Sequence, residues 1–482
     1  MAAPFVEEHS VALPSPANVY SLCIIHHPTC TKVLVASRTG RVTCIDTARA
    51  DPPRPDAQDS TNAVHAHDAT TLPSIVGTEG PWSAVDVPFT YIPSDADIVS
   101  IDAFCTSGQS GSGMGSGMGS GMGSGTGSGT GSGLVAGVTI GITFTKPSTQ
   151  GLPSQSYLNV YGATTHRSSP TVDIEKLAGD CQAIPIMFTP FKLQHTELVI
   201  DGKSQTVFLL GGSDGKMHIF CEDSTNSTFY ESGAIDFSSI SGPILSNITT
   251  LDLKTAGSER MCAFGTQSGH VQLCRSAIDA SSSPAQFVTS VSFDGPISSV
   301  KLFTTRSQER RASGVHPDLK LQDLEQPRDD PISLLVTCCL GPAVVYFDVS
   351  KNGLDCPIVL PDSDFFDATL CSLVADVDFD HQNELLLGTY GQQVLCYKII
   401  GYEDGVPEYS RVWRRGFARP VYCLEYVDLT RDGMRELVVI STLGAHVLQH
   451  DLDHVRDRCR EALGLLKELM TLRRRKASVM SA

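Results

Sequence analysis

The chain has 482 residues, of which 41% are hydrophobic, and its mean hydropathy is −0.02. This length and composition allow a large buried core and exclude a chain that is disordered throughout. The formal net charge of −17 argues against a nucleic-acid partner, because phosphate binding needs a positive face, but it does not oppose a protein partner.

The N-terminal sequence MAAPFVEEHSVALP has no basic region followed by an apolar stretch, so we do not interpret it as a secretory signal. No window of the sequence reaches the roughly 18 apolar residues of a membrane span. The 15 cysteines are odd in number and include no CxxC pair, which favours free thiols in a reducing compartment over a disulfide framework. We therefore expect a cytoplasmic protein.

A unit of two short apolar runs, separated by a turn that usually contains glycine, recurs along the chain. Each run has about 4–6 residues rich in Val, Leu and Ile, which is typical of a β-hairpin. Seven copies begin, in chain order, at Lys32, Gly133, Thr206, Arg260, Ser333, Glu384 and Glu436. The second copy is stretched, and YLNVY from Tyr157 is predicted as its return strand.

Another short strand precedes most hairpins, as in DIVSIDAF and VYCLEYVDL, so the unit has three to four strands. The runs are apolar at nearly every position, which indicates strands buried on both faces. Seven such units predict an all-β fold, a seven-bladed β-propeller formed by residues 1–450. Two stacked β-sandwiches are the alternative, but their strands would alternate more clearly between apolar and polar positions.

Three biased segments are predicted as mobile, low-complexity insertions in the propeller. Residues 48–80 are rich in Pro, Asp and Ala, residues 107–133 consist almost entirely of Gly, Ser, Met and Thr, and residues 305–330 are highly charged. The glycine tract lacks the spacing of a phosphate-binding loop, because its glycines occupy every second position.

After His450 the pattern changes to that of an amphipathic α-helix, predicted over residues 451–476 and followed by a disordered tail, 477–482. The helix either packs on the propeller or docks a partner, and the pattern favours neither. If it docks a partner, we expect Leu463, Leu466 and Leu469 to form the centre of the interface.

Two loops carry regularly spaced carboxylates. Asp376, Asp378, Asp380 and Glu384 occupy positions 1, 3, 5 and 9 of the first loop, and Asp428, Thr430, Asp432, Gly433 and Glu436 repeat the layout in the second. Both loops resemble the DxDxDG loop of FG-GAP repeats in integrin-type propellers. That resemblance implies calcium binding, because alternate loop positions can supply the six to eight oxygens that calcium needs.

Both loops depart from this pattern. His381 replaces the glycine of the turn in the first loop, and Thr430 replaces a carboxylate in the second. Asp residues also stabilise turns through their own backbone, so we interpret both loops as structural. The first loop stays a weak calcium candidate, and no metal or cofactor is otherwise predicted. The sequence contains none of the common catalytic motifs, so we do not expect an enzyme.

Several stretches between Phe89 and His450 resemble the kaptin family. They are FTYIPSDADIVSIDAF from Phe89, GITFTK from Gly141, FTPFKLQH from Phe188, TVFLLGGSD from Thr206, DGPISSV from Asp294, GPAVVYFD from Gly341, and most strongly the segments 370–398 and 427–450. The three insertions are departures from the family.

This resemblance implies a non-enzymatic propeller. Kaptin is a subunit of the KICSTOR complex, together with a second FG-GAP-like propeller protein, and that complex brings the GATOR complex to the lysosome and restrains TOR signalling when nutrients are scarce. The family is also associated with actin filaments in lamellipodia and stereocilia. A scaffold subunit of this complex is therefore the first hypothesis, an actin-associated protein the second and a calcium-binding adhesion-type module the third.

Overall fold

The computed structural model describes residues 3–47, 82–106, 137–148, 154–162, 172–200, 203–223, 225–232, 246–256, 259–277, 287–306 and 330–453, and then 455–457, 459–460, 463–464 and 467. The predicted insertions lie outside these residues, except for Thr305, Arg306 and Asp330 at the ends of the third. The predicted tail also lies outside them.

Two single-turn helices, α1 (Ile174–Leu177) and α2 (Val349–Asn352), accompany the strands. In chain order the strands are β1 (Phe5–Ala12), β2 (Leu22–His27), β3 (Cys30–Ala36), β4 (Val42–Thr47), β5 (Trp82–Val87), β6 (Asp97–Thr106), β7 (Gly137–Lys146), β8 (Gln155–Tyr161), β9 (Cys181–Ile186), β10 (Pro190–Ile200), β11 (Lys203–Gly212), β12 (Met217–Asp223), β13 (Thr228–Glu231), β14 (Ile248–Ala256), β15 (Glu259–Thr266), β16 (His270–Ala277), β17 (Phe287–Ser292), β18 (Ile297–Thr304), β19 (Ile332–Cys338), β20 (Val344–Tyr346), β21 (Ile358–Val359), β22 (Thr369–Ala375), β23 (Glu384–Thr389), β24 (Gln393–Glu403), β25 (Val406–Gly416), β26 (Val421–Val427), β27 (Glu436–Ser441) and β28 (Gly444–His450).

These strands form seven four-stranded antiparallel sheets, which confirms the predicted seven-bladed propeller. Blades 1 to 6 each use four consecutive strands, beginning with β2, β6, β10, β14, β18 and β22. The first strands of neighbouring blades lie against one another, so the first strand of each blade is its innermost. The stretched hairpin predicted from Gly133 is confirmed from Gly137 onwards, as β7 and its return strand β8.

Blade 7 closes the ring with strands from both ends of the chain. Its sheet order is β1-β28-β27-β26, and Phe5 of β1 pairs with His450 of β28. The amino-terminal strand was not among the predicted elements. Because β26 is the innermost strand of this blade, β1 is its outermost, and its hydrogen bonds to β28 tie the two ends of the described propeller together.

Seven clusters of buried apolar side chains fill the junctions between neighbouring blades. In β23, Leu386 belongs to the cluster shared with blade 7, whereas Leu385 and Leu387 belong to the cluster shared with blade 5. Successive side chains of a strand point to opposite faces, and here both faces are covered. This is the physical reason why the strand is apolar along its length, and all six of its residues are buried.

The segments that connect blades are fastened by buried tyrosines of the next blade. Tyr397 of β24 donates a hydrogen bond from its hydroxyl to the carbonyl of Pro361, at 2.9 Å. Tyr161 of β8 makes the same contact with Thr90, at 2.7 Å. Each bond holds the chain in place between the outer strand of one blade and the inner strand of the next.

Beyond the last blade, residues 452–453, 455–457, 459–460, 463–464 and 467 are helical, as predicted. Most of them are exposed, so these turns lie on the outside of the ring. No helix within the described segments is long and apolar enough to cross a membrane. All 15 cysteines are free, which agrees with the predicted absence of a disulfide framework.

Candidate functional site

The acidic loop of blade 6, residues 376–384, connects the two innermost strands of that blade, β22 and β23. Ala375 and Glu384 are the last cross-strand pair before the loop, so the loop is the turn of a closed hairpin. The structure therefore brings together the four carboxylates that the spacing had singled out, with Asp376 at the start of the loop and Glu384 at its end.

Two of these carboxylates hold the backbone of the loop. The amide of Val377 donates a hydrogen bond to Oε2 of Glu384, at 2.8 Å. The amides of Asp380 and His381 donate to the two oxygens of Asp376, at 3.2 and 2.9 Å. These contacts are the ones by which a carboxylate stabilises a turn, and they support the structural interpretation of the loop.

A lysine side chain occupies the middle of the carboxylate group. Nζ of Lys398, in β24, lies 2.7 Å from Oδ2 of Asp380 and 3.2 Å from Oε1 of Glu384, and it also donates a hydrogen bond to Asp378. The Lys398 side chain is 19% exposed and that of Glu384 only 1%. The negative charge of the loop is thus partly offset by a cation that belongs to the chain.

The same carboxylates are close enough to hold a metal ion. One oxygen each of Asp376, Asp378 and Glu384 lie within 4.8 Å of one another. Calcium binds to six to eight oxygens, and at this place it would have to displace the ammonium group of Lys398. The donor set therefore fits a divalent cation only if Lys398 leaves the loop.

Burial and the charge of Lys398 act in opposite directions on the pKa values of the carboxyl groups in this loop. Burial raises the pKa of Glu384 to about 8, with a further contribution from the charge of Asp378, while Lys398 opposes the rise. Burial also raises the pKa of Asp376. For Asp380 burial acts to raise the pKa, but hydrogen bonds, first that from Lys398, outweigh it and the pKa is lowered. Burial acts to lower the pKa of Lys398, but its carboxylate partners raise it overall.

The corresponding loop of blade 7, residues 428–436, has the same backbone architecture. The amide of Leu429 donates to Oε2 of Glu436 at 2.8 Å, and that of Gly433 donates to Oδ2 of Asp428 at 3.0 Å. Glu436 is also buried, and burial raises its pKa. The repetition of these bonds in two blades shows that the first and last carboxylates serve the turn in both.

The two loops differ in charge at their centres. Thr430 stands where blade 6 has an aspartate, and its hydroxyl donates to Oε1 of Glu436 at 3.0 Å. The pairing of Leu437 with Leu448 places Gln449 beside Glu436, in the position that Lys398 occupies in blade 6. Asp378 and Lys398 of blade 6 are thus both replaced by neutral residues in blade 7, Thr430 and Gln449. Because one negative and one positive charge are lost together, this exchange leaves the net charge unchanged.

The histidine that departs from the FG-GAP pattern adopts the conformation that the glycine would have. His381 has φ 69°, and Gly433, its counterpart in blade 7, has φ 90°. Both lie in the left-handed region, which costs a residue with a Cβ more than glycine. The substitution therefore strains the turn but does not change its shape.

Sequence reasoning missed Lys398, although a signal was present. The hairpin register that pairs Leu385 with Tyr397 places the next residue, Lys398, directly beside Glu384. A lysine within an apolar run, opposite a buried glutamate, could have indicated an internal ion pair.

Of the predicted partner residues, Leu463 lies on the C-terminal helix, which begins next to the end of blade 7. Leu463 is 56% exposed, so it is accessible. Leu466 and Leu469 lie outside the described residues. The helix follows β28, and the amide of Asp451 donates to the carbonyl of Pro4 at 2.9 Å, which fastens its first residue to the amino-terminal segment.

Comparison with known proteins identifies relatives over most of the chain. The family model for KICSTOR complex protein kaptin matches residues 128–460. The KICSTOR complex protein kaptin of Mus musculus is 35% identical over 371 residues, which cover 77% of this chain and 76% of the mouse protein.

Among solved structures, two crystal structures of BBS1N in complex with ARL6DN, soaked with lead or with mercury, match 94% of this chain and 98% of theirs. Their sequence identity is 8% and their TM-scores are 0.46 and 0.47, too low to support a functional comparison.

Proposed function

The chain belongs to the kaptin family of KICSTOR complex proteins, and we propose that it is a non-enzymatic scaffold subunit of a KICSTOR complex. In this role the propeller binds other subunits, including a second FG-GAP-like propeller protein, and converts no substrate. The observation that carries the proposal is the 35% identity to mouse kaptin over 371 residues.

The physical features of the described residues support a binding role. Apolar clusters join the blades at every junction, and β1 completes the last blade and closes the ring. A ring held in this way is rigid, so its loops lose little conformational entropy when a partner binds. The carboxylates of the blade 6 loop support its turn and contact Lys398, so the most conspicuous polar cluster is used internally.

At the cellular level we propose that the complex brings the GATOR complex to the lysosome and restrains TOR signalling during nutrient shortage. The protein would then be cytoplasmic and recruited to the lysosomal surface through its partners. This step rests on what the family implies, and the family's association with actin filaments is the competing role.

Affinity purification of the tagged full chain from nutrient-replete and starved cells tests the proposal. We expect the other KICSTOR subunits in stoichiometric amounts under both conditions, with GATOR components in smaller amounts. A parallel sedimentation of the purified chain with actin filaments tests the competing role. Sedimentation with filaments, together with failure to co-purify any KICSTOR subunit, would contradict the scaffold assignment.

A further inference from the structure

Three strongly exposed apolar side chains lie on neighbouring loops of blades 5 and 6. Phe365 is 79% exposed, Leu340 73% and Tyr390 51%. We refer to these three residues as the Phe365 patch. Exposed aromatic and large aliphatic side chains that lie close together are typical of protein interaction sites.

Pairing within the blades places all three residues at the same end of the ring. Thr369, the first residue of β22, pairs with Thr389, the last residue of β23, so the loop before β22 and the turn after β23 lie together. Ile297 and Cys338 pair in the same way in blade 5 and place the turn that carries Leu340 at this end. The C-terminal helix begins at the other end, because β28 starts beside the turn after β27 and runs away from it.

Hydrogen bonds join the turn of Leu340 to the loop of Phe365. The buried hydroxyl of Ser363 accepts a bond from the amide of Ala343 at 2.9 Å and donates to the carbonyl of Leu360 at 2.9 Å. The amide of Leu360 in turn donates to the carbonyl of Ala343 at 2.9 Å. These bonds fix the relative positions of the two loops.

The turn of Tyr390 is fastened to the same loop. The amide of Tyr390 donates to the carbonyl of Ala368 at 2.8 Å, and that of Gly391 donates to the carbonyl of Phe366 at 3.2 Å. A Cβ at Gly391 would come within 2.3 Å of the latter oxygen, so this close approach requires glycine. The patch is therefore a preorganised surface, and its occupant has little loop ordering to overcome.

The exposure of Phe365 contrasts with the packing of the residue after it. The ring of Phe366 is covered by the guanidinium groups of Arg411 and Arg414, whose central carbons lie 5.3 and 5.1 Å from the ring centroid. Phe365 makes no such ring contact in the part of the chain that the structure describes, and its side chain remains open to solvent.

Three acidic residues lie beside Phe365 on the same loop. Asp362 forms an ion pair with Arg411, at 3.6 Å. Asp364 and Asp367 are exposed and form no ion pair within the described segments; Oδ1 of Asp367 accepts a bond from the amide of Ala368 at 2.7 Å. An apolar centre with free carboxylates at its edge is complementary to a segment that carries apolar and basic side chains, and it repels phosphate groups.

We propose that the Phe365 patch is the docking site for a basic, apolar segment of another subunit of the complex. Phe365, Leu340 and Tyr390 contact the apolar side chains of this segment, and Asp364 and Asp367 pair with its Lys or Arg residues. The inference rests on the proposed function, because the partner is one of the KICSTOR subunits, and it adds the surface and the chemistry of the contact.

The test uses the full chain, immobilised, and each other KICSTOR subunit as the soluble probe. We expect Phe365→Ser to weaken the binding of one subunit about tenfold or more, because exposed aromatic anchors dominate binding energy. Met187→Ser is the matched control, since Met187 is 99% exposed in the loop between β9 and β10 at the same end of the ring. It should leave the binding of all subunits within about twofold, as is usual for a residue outside the apolar centre of an interface.

A second pair of variants tests the carboxylates. Asp364→Lys combined with Asp367→Lys should weaken the same subunit, and the neutral pair Asp364→Asn with Asp367→Asn should reduce the loss of affinity that the wild type shows with added salt. The neutral pair should leave the melting temperature of the chain unchanged, because asparagine also tolerates the left-handed backbone of Asp367 and can accept the bond from Ala368. If Phe365→Ser disturbs the fold, the charge variants decide.

The outcomes separate this inference from the proposed function. If no subunit binds the wild type, both are overturned. If a subunit binds and neither set of variants weakens it, only the docking site is overturned. The docking site is also overturned if the wild type self-associates, by light scattering, and Phe365→Ser abolishes this, because the occupant would then be a second copy of the chain.

Discussion

Nζ of Lys398 lies 3.2 Å from Oε1 of Glu384, a buried glutamate at the start of β23. Glu384 is the first residue of β23 and Lys398 lies in β24, so their contact links two neighbouring strands of blade 6 beside the acidic loop. It also supplies the cation that an FG-GAP loop would take from solution. This relationship makes the loop testable by substitution.

Lys398→Met should destabilise the propeller by about 2–4 kcal/mol, because it leaves a group of partly buried carboxylates without a counter-charge. The measurement is the free energy of unfolding in urea. Arg38→Met is the control, since Arg38 and Asp97 form an ion pair in which both side chains are 57% exposed, and exposed pairs contribute about 0–1 kcal/mol. Equal losses in the two variants would contradict an internal role for Lys398.

Millimolar calcium should not change the melting temperature of the wild-type chain, because the ammonium group of Lys398 occupies the place of the ion. Saturating calcium at 100 times its dissociation constant would stabilise a binding fold by about 2.7 kcal/mol. The same titration of Lys398→Met should show stabilisation. A calcium-dependent rise in the wild type that disappears in Asp378→Asn would establish a metal site and reverse our interpretation.

Glu384 should make the stability of the propeller depend on pH. Its pKa of about 8 in the folded chain exceeds the ordinary value of 4.5, so the folded state binds this proton more tightly than the unfolded state does. The contribution of Glu384 to stability is therefore fully present below about pH 4.5 and is lost as the pH rises through about 8. Glu384→Gln, whose amide oxygen can still accept the bond from Val377, should gain stability relative to the wild type over this range.

Urea unfolding of both proteins at pH 5 and pH 8 measures this effect. Glu403→Gln, at an exposed position near the tip of the β24–β25 hairpin, is the control and should show no change with pH relative to the wild type. A constant difference between Glu384→Gln and the wild type at both pH values would show that Glu384 does not titrate in this window.

Removing the glycine from the blade 7 turn and introducing one into the blade 6 turn should have opposite effects on stability. Gly433→Ala should destabilise blade 7 by about 1 kcal/mol, because φ at this position is 90°, although no described residue other than its chain neighbours lies within 4 Å of the added Cβ. His381→Gly should stabilise blade 6 by up to about 1 kcal/mol, because glycine adopts the left-handed conformation with less strain than histidine. Denaturant midpoints measure both. A loss of stability in His381→Gly would mean that the histidine ring contributes more than its backbone strain costs.

Leu463→Asp tests the helix as a second docking segment. Leu463 is 56% exposed, so the substitution should change the free energy of unfolding by less than about 0.5 kcal/mol. If the predicted stripe docks a partner, co-purification of one KICSTOR subunit should be lost. Asp457→Asn is the control, because Asp457 is exposed and lies six residues from Leu463, about 120° away around the helix. A large loss of stability would instead show that the helix is part of the core.

The blades could be predicted because their signal is local. β23 and β27 are apolar at most positions, because each lies between two neighbouring blades. A strand buried on both faces needs apolar side chains at successive positions. Counting such hairpins was enough to obtain the number of blades. The closing strand β1 gave no such signal, because Phe5 alone of its eight residues is buried and its partner, β28, lies at the other end of the chain.

The candidate site was predicted in part. The spacing of Asp376, Asp378, Asp380 and Glu384 placed them in one loop, because residues so close in sequence have to share a turn. Whether they bind a metal was not decided by their spacing, since the same oxygens also accept backbone amides and a lysine. The position of Lys398 depends on the register of β23 and β24.

The sequence by itself determined that the chain builds seven repeated sheets with continuous apolar strands, because that pattern follows from backbone geometry and burial. Only the tertiary structure decided which cation the acidic loop holds and where apolar side chains remain exposed. Phe365, Leu340 and Tyr390 lie in three separate loops, and only blade packing and the hydrogen bonds between these loops bring them to one surface. Contacts between segments distant in sequence depend on the complete ring, so no local pattern can contain them.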